Sequence, residues 1–70
     1  MIKKIYIDGM SCGHCVSHVK EALLDIGAIK VKVDLEEKYA IADFDEEISD
    51  SDITLAIEDV GYEVTEIEED

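Results

Sequence analysis

The stretch Ile29-Lys30-Val31-Lys32-Val33-Asp34-Leu35-Glu36-Glu37-Lys38-Tyr39-Ala40-Ile41-Ala42-Asp43-Phe44 decides the fold. In its first half Ile29, Val31, Val33 and Leu35 alternate with Lys30, Lys32, Asp34 and Glu36, the period-two pattern of a strand with one wet face. Glu36-Glu37-Lys38 gives a polar turn, and Tyr39 to Phe44 reads as a shorter strand that closes a hairpin. The inward face of that strand is ambiguous, because Tyr39 and Ile41 compete with Ala40, Ala42 and Phe44. On either side of the hairpin the period changes. Upstream, Ile2 to Asp8 is β-rich, with Ile5 and Ile7 on one face and Lys4, Tyr6 and Asp8 on the other. From Cys12 the apolar positions Cys15, Val19, Ala22, Leu23 and Ile26 recur at helical spacing until Gly27. Downstream, Ser49 can cap a second helix, Asp50 and Asp52 suit its positive end, and Ile48 can staple onto Ile53. Its stripe is Ile53, Ala56, Ile57 and Val60. Gly61 stops it, and Tyr62 to Ile67 alternates as a last strand.

The order is therefore β-α-β-β-α-β, an α+β arrangement. Two crossovers around a central hairpin give a ferredoxin-like sandwich, a four-stranded antiparallel sheet with both helices on one face. Seventy residues, without repeat or linker, read as one domain spanning 1–70. At this size only about 60% of the unfolded surface is buried, which leaves no room for a large catalytic cleft. The apolar share of 47% excludes a disordered tail despite 36% charged residues. The net charge of −13 argues against binding nucleic acid or an anionic membrane, because phosphate contacts need cations. A docking partner is expected to be basic. The acidic end, Glu63, Glu66, Glu68, Glu69 and Asp70, reads as a solvated, fraying tail in preference to a dedicated docking arm, and no function is assigned to it. Met1 is not followed by a basic and apolar leader, and no apolar run approaches the ~20 residues that span a bilayer, so the expected location is the cytoplasm, without membrane insertion.

In a reducing compartment a close Cys pair points to metal or redox chemistry rather than a structural bridge. Cys12 and Cys15 are three apart, so on a helix they share a face and can address one atom. Helix N-terminal N–H groups favour the thiolate, the metal-binding form. A closed zinc site needs four ligands, and the chain has two Cys and two His in all. Soft thiolates select Cu(I), which tolerates low coordination, and an exposed two-sulfur loop suits a metal that is accepted and then passed on. His14 points away from Cys15 on the helical wheel and aligns with His18, Glu21 and Asp25. Three roles stay open for it: a residue of a solvated face, a third ligand, or a group that tunes the thiols or touches a partner. Cys-Gly-His-Cys also occurs in disulfide isomerases. A dithiol–disulfide oxidoreductase is nevertheless disfavoured here, because Ser11 rather than Trp precedes Cys12 and the chain has no Trp and no Pro. No enzymatic activity is expected.

With Gly9-Met10-Ser11-Cys12-Gly13-His14-Cys15 closing the first strand and Gly61-Tyr62 opening the last, the sequence resembles the heavy-metal-associated domain family, in particular its bacterial copper chaperones. Gly27 to Asp34 resembles that family's second strand, and Ala56 to Tyr62 the run into its fourth; the resemblance covers essentially the whole chain. It implies that Cys12 and Cys15 bind Cu(I), that Met10 points into the core and holds the loop, and that Tyr62 lies near the metal. A packed aromatic at a helix–strand junction is the alternative for Tyr62. Members selective for zinc, cadmium or lead often carry Asp before the first Cys. Ser11 stands there, which favours Cu(I), with Ag(I) as a mimic and Zn(II) or Hg(II) as in-vitro ligands.

The implied function is a copper chaperone that passes one Cu(I) by ligand exchange, or else the N-terminal metal-binding domain of a copper-transporting P-type ATPase. The implied partners are such an ATPase or its metal-binding domains and a copper-responsive repressor. The implied state is a monomer or a metal-bridged homodimer. An interaction module with a vestigial metal site is the third reading. The chain departs from the family in its acidity and in a short connection from Phe44 to Ser49.

Overall fold

Strand β1 (Ile2–Asp8) is followed by α1 (Gly13–Asp25), β2 (Ala28–Asp34), β3 (Tyr39–Phe44), α2 (Asp50–Asp59) and β4 (Glu63–Glu69) in a computed structural model that describes residues 1–11 and 13–69. The strands form one antiparallel sheet in the order β2-β3-β1-β4, which is the expected ferredoxin-like topology. Among the described residues no helix is long and apolar enough to cross a membrane.

Burial alternates along β1 and β3, so only one sheet face is covered. Ile5 and Ile7 of β1 and Ala40, Ala42 and Phe44 of β3 share the core with Val19 and Leu23 of α1 and Ile53 and Ile57 of α2. This settles the inward face of β3. The two alanines lie under the helices, and their small side chains let α1 approach the sheet. Ile5, Ile7, Val19, Leu23, Ile53 and Ile57 are fully buried, and each contributes about 1.5–3 kcal/mol on transfer from water.

Three expectations need correction. Ile29 does not point inward: it is 63% exposed, while Ala28 is buried opposite Phe44. The pairing goes from Ala28↔Phe44 to Lys30↔Asp43, which leaves Ile29 as the extra residue of a bulge on an edge strand. Val60, expected on the core stripe of α2, is 39% exposed because it occupies the C-cap, where the helix is already unwinding. The acidic end is not a fraying tail. Glu63 to Glu69 form β4, paired along β1 with Lys3 opposite Glu69 and Lys4 opposite Glu68. Asp70 lies outside the described residues.

A second bulge inserts Thr65 between Ile7↔Val64 and Tyr6↔Glu66, and the Thr65 hydroxyl donates to the Tyr6 carbonyl at 3.4 Å. Lys3 is buried along its stem and reaches out with Nζ 3.1 Å from Asp50 Oδ1, tying β1 to the first turn of α2.

On the uncovered sheet face, the Lys4 ammonium lies 4.4 Å from the Tyr39 ring centre and 5.2 Å from that of Tyr6. The two rings meet edge to face at 6.2 Å. A hydrogen bond with the Tyr6 side chain, outweighing desolvation and assisted by the charges of Tyr6, Tyr39 and Glu68, raises the Lys4 pKa above the ordinary lysine value. Because the folded pKa is the higher one, the resulting stabilisation is complete below the unfolded value and fades as pH climbs through the folded one. Tyr6→Phe is expected to move the Lys4 pKa back toward the ordinary value in an NMR titration of its side chain.

The caps of α2 follow the sequence closely. Ser49 accepts from the Asp52 N–H at 3.1 Å, with Asp50 and Asp52 in the first turn. At the other end Gly61 takes φ 98°, its N–H donates to Glu58, and the Tyr62 N–H donates back to Ile57. Ser49→Ala is expected to cost about 1 kcal/mol. In thermal denaturation followed by circular dichroism, that appears as a fall of about 4–8 °C for a domain of this size.

Candidate metal-binding loop

The loop is set by where β1 must stop. Past Asp8 the chain leaves the sheet through Gly9, whose φ of 98° favours a residue without a Cβ. Met10 then turns into the core and is buried, as the sequence reading expected, while Ser11 is exposed. Cys12 lies outside the described residues; it immediately precedes Gly13, the first residue of α1. His14 follows, exposed, and then Cys15, which is only 8% exposed and belongs to the hydrophobic core cluster. The expectation of an exposed two-sulfur loop is therefore corrected at Cys15. Its thiol heads the buried stripe Cys15, Val19, Ala22 and Leu23, and that stripe faces the sheet. Cys15 sits in the first turn of α1, where the helix N–H groups point toward the loop, and no acidic residue occupies that turn to oppose the helix dipole.

Two neighbouring elements brace the loop. Across the sheet, Lys38 takes a left-handed φ of 62° at the end of the hairpin turn, and its carbonyl accepts from the Ile7 N–H at 2.9 Å. The start of that turn is fixed by Asp34, whose carboxylate accepts from the Glu37 N–H at 2.9 Å. On the other side the α2 C-cap delivers Tyr62 to the loop. Its ring is 3.6 Å from where a Gly9 Cβ would stand, and its hydroxyl is within hydrogen-bonding distance of His18 Nδ1, at 3.5 Å.

Tyr62 thus lies against the loop, where the family resemblance puts it. His14, His18, Glu21 and Asp25 share an exposed helix face, as the wheel predicts. The link between Tyr62 and His18 was not foreseen. Helical spacing places His18 on a solvated face, but no spacing rule brings it to a residue 44 positions away. Among the described residues, no group of three or more His, Cys, Asp or Glu side chains comes together in a metal-binding arrangement.

A four-stranded sheet under two helices, with Cys15 in the first turn of α1, is the frame shared by small ferredoxin-like domains. The comparisons agree: the heavy-metal-associated domain matches residues 4–63, and the chain belongs to that family. It is 38% identical to the copper chaperone CopZ of Enterococcus hirae, over 90% of this chain and 94% of that protein. With CopZ of Bacillus subtilis the identity is 41%, over 89% and 93%. Among solved structures it superposes on a CopZ metallochaperone with a TM-score of 0.85 at 36% identity, covering 93% of this chain and all of that one. It also superposes on a copper-binding domain of the P-type ATPase HMA7, with a TM-score of 0.82 at 33% identity, covering 97% and 99%.

Gly9→Ala is expected to destabilise the protein by roughly 1–2 kcal/mol through its left-handed backbone alone, since the Tyr62 ring at 3.6 Å is in ordinary contact distance. Urea denaturation measures the loss. A Gly9→Ala variant as stable as the parent would show that the loop adopts another backbone path.

Proposed function

We propose that this protein is a copper(I) chaperone that binds one Cu(I) through Cys12 and Cys15 and passes it to a partner's Cys pair by ligand exchange. The observation that carries the reading is the near full-length likeness to bacterial copper chaperones, which reaches across the loop holding both cysteines. Cu(I) is a soft ion that thiolates bind in preference to the harder oxygen donors abundant in this chain. The first turn of α1 lowers the cost of holding sulfur as thiolate. Met10, buried in the core cluster, anchors the backbone between Gly9 and Ser11. Tyr62 and His18 stand beside the site and limit how a partner approaches.

In the transfer step a thiolate of the partner attacks the bound Cu(I) to give a three-coordinate ion. One of this chain's two sulfurs then leaves and takes up a proton, and a second exchange completes the move. No electron changes hands, and Cu(I) enters and departs in the same oxidation state. The burial of Cys15 suggests an order for these steps. A sulfur in the core cluster is screened from an incoming ligand, so Cys15 is the last to let go. Partners of matching chemistry are the metal-binding domains of a copper-transporting ATPase, or a copper-responsive repressor; Ag(I) would occupy the same sulfurs. The likeness to the HMA7 copper-binding domain supports a second reading, in which the chain is the N-terminal metal-binding domain of such an ATPase.

Titration with Cu(I) in competition with a chromogenic chelator such as bathocuproine disulfonate is expected to give one equivalent per chain. The Cys12→Ser/Cys15→Ser variant is expected to lose that equivalent while circular dichroism reports a folded domain. Stoichiometric binding retained in the folded double variant would overturn the assignment, as would sustained insulin reduction by the parent protein, which is the mark of an oxidoreductase.

A further inference from the structure

At the end of the sheet opposite the metal loop, the surface carries a trough of a different character. Ile2 pairs with Asp43, so the β3–α2 connection leaves the sheet where β1 begins, whereas the metal loop follows the end of β1. The thirteen residues of α1 span that separation, about 20 Å at helical rise. The trough is floored by Ile26, Ile29 and Ile48 and continues along α2 past Leu55 and Ala56. Two of these side chains are strongly exposed, Ile29 at 63% and Leu55 at 64%. Ile29 is outside the core because of the Ala28/Lys30 bulge. Bulges of this kind re-aim a side chain, and here the re-aimed one is a large aliphatic group placed in solvent beside other aliphatics.

The rim has one sign. Asp45, Glu46, Glu47, Asp52 and Asp59 border the trough, and no lysine is among the described residues lining it. Along α2, Asp52, Leu55, Ala56 and Asp59 fall at i, i+3, i+4 and i+7, which is the ridge that packs against a second helix. An apolar floor selects aliphatic side chains, the carboxylate rim selects cations, and the helical ridge selects a helical form. We propose that this trough docks a basic amphipathic helix of a partner protein, with its aliphatic residues on Ile26, Ile29, Ile48 and Leu55 and its lysines or arginines on the rim. The floor at Ile26, Ile29 and Ile48 lies at the end of α1 away from Cys15, whereas the rim at Asp59 runs toward Tyr62 and the loop, so a helix seated on that floor is centred away from the metal loop. The proposal does not rest on the identity of the metal.

The test uses the full chain, labelled with 15N, and a synthetic helical peptide of about four turns with leucine on one face and lysine on the other. A control peptide keeps the lysines and replaces leucine with serine. Amide shifts are expected to cluster at Ile26, Ile29, Ile48 and Leu55, and binding to weaken about tenfold or more with the serine peptide. The Ile29→Ser/Leu55→Ser variant, altered only at exposed positions, is expected to lose affinity to the same degree while keeping the parent's spectrum elsewhere. Equal binding of both peptides would overturn the proposal by reducing it to charge alone. So would shifts centred on the metal loop, an unaffected double variant, or absence of binding. Self-association of the parent at rising concentration, abolished in the double variant, would instead assign the trough to a second copy of this chain.

Discussion

Everything in this molecule depends on covering the inner face of the central strands β1 and β3 with the apolar stripes of both helices. Ile5 and Ile7 meet Val19 and Leu23 in one cluster, and the chain that joins them is the metal loop. Because the strand before the loop and the helix after it are both clamped, Gly9 to Ser11 has few conformations open to it. Met10 is drawn into the same cluster, and Cys15 is its N-terminal member on α1. Fold stability and the position of the candidate ligand are therefore a single quantity.

This coupling explains how much of the structure could be read from sequence. The hairpin, both helices and the strand order follow from local period, because a half-buried strand and a helix pressed on a sheet each impose their own repeat. The α2 caps were equally legible: Ser49, Asp52 and Gly61 act within four residues of their partners. What sequence misread were features decided by pairing between strands. Ile29 continues the alternation of Val31 and Val33 flawlessly, and only the register against Phe44 and Asp43 reveals that it is the extra residue. The glutamates of β4 look like a solvated tail until Lys3 and Lys4 are placed opposite them. Choosing Ala40 and Ala42 over Tyr39 and Ile41 as the inward face likewise required knowing that a helix needed the space.

The candidate site divides along the same line. Met10 and Tyr62 were legible because a resemblance spanning the chain carries non-local information that periodicity lacks. The burial of Cys15 was half visible, since the residue sits on the same stripe as Val19, yet its chemistry suggested exposure. Packing won, because a thiol behaves as a small hydrophobe when the alternative is a hole in the core. The contact between Tyr62 and His18 was invisible, since it depends on how the α2 cap aims one ring at a different helix.

The charge follows from the architecture as well. Lys4, Lys30 and Lys32 lie on the uncovered sheet face, where Lys4 sits against two tyrosine rings. Lys3 is committed to Asp50. The carboxylates are more widely spread: they line β4, the connection into α2 and α2 itself, and also stand on α1 at Glu21 and Asp25, at the hairpin turn, and on the uncovered sheet face at Asp43, Glu66 and Glu68. The net charge of −13 is thus spread over both layers, with the lysines of the sheet face set among carboxylates. At this chain length such a charge costs stability through self-repulsion, and placing Lys4 opposite Glu68 and Lys3 against Asp50 offsets part of that cost. Most of the remaining carboxylates are exposed. They repel other copies of this chain and attract basic partners, which favours exchange with others over association with itself.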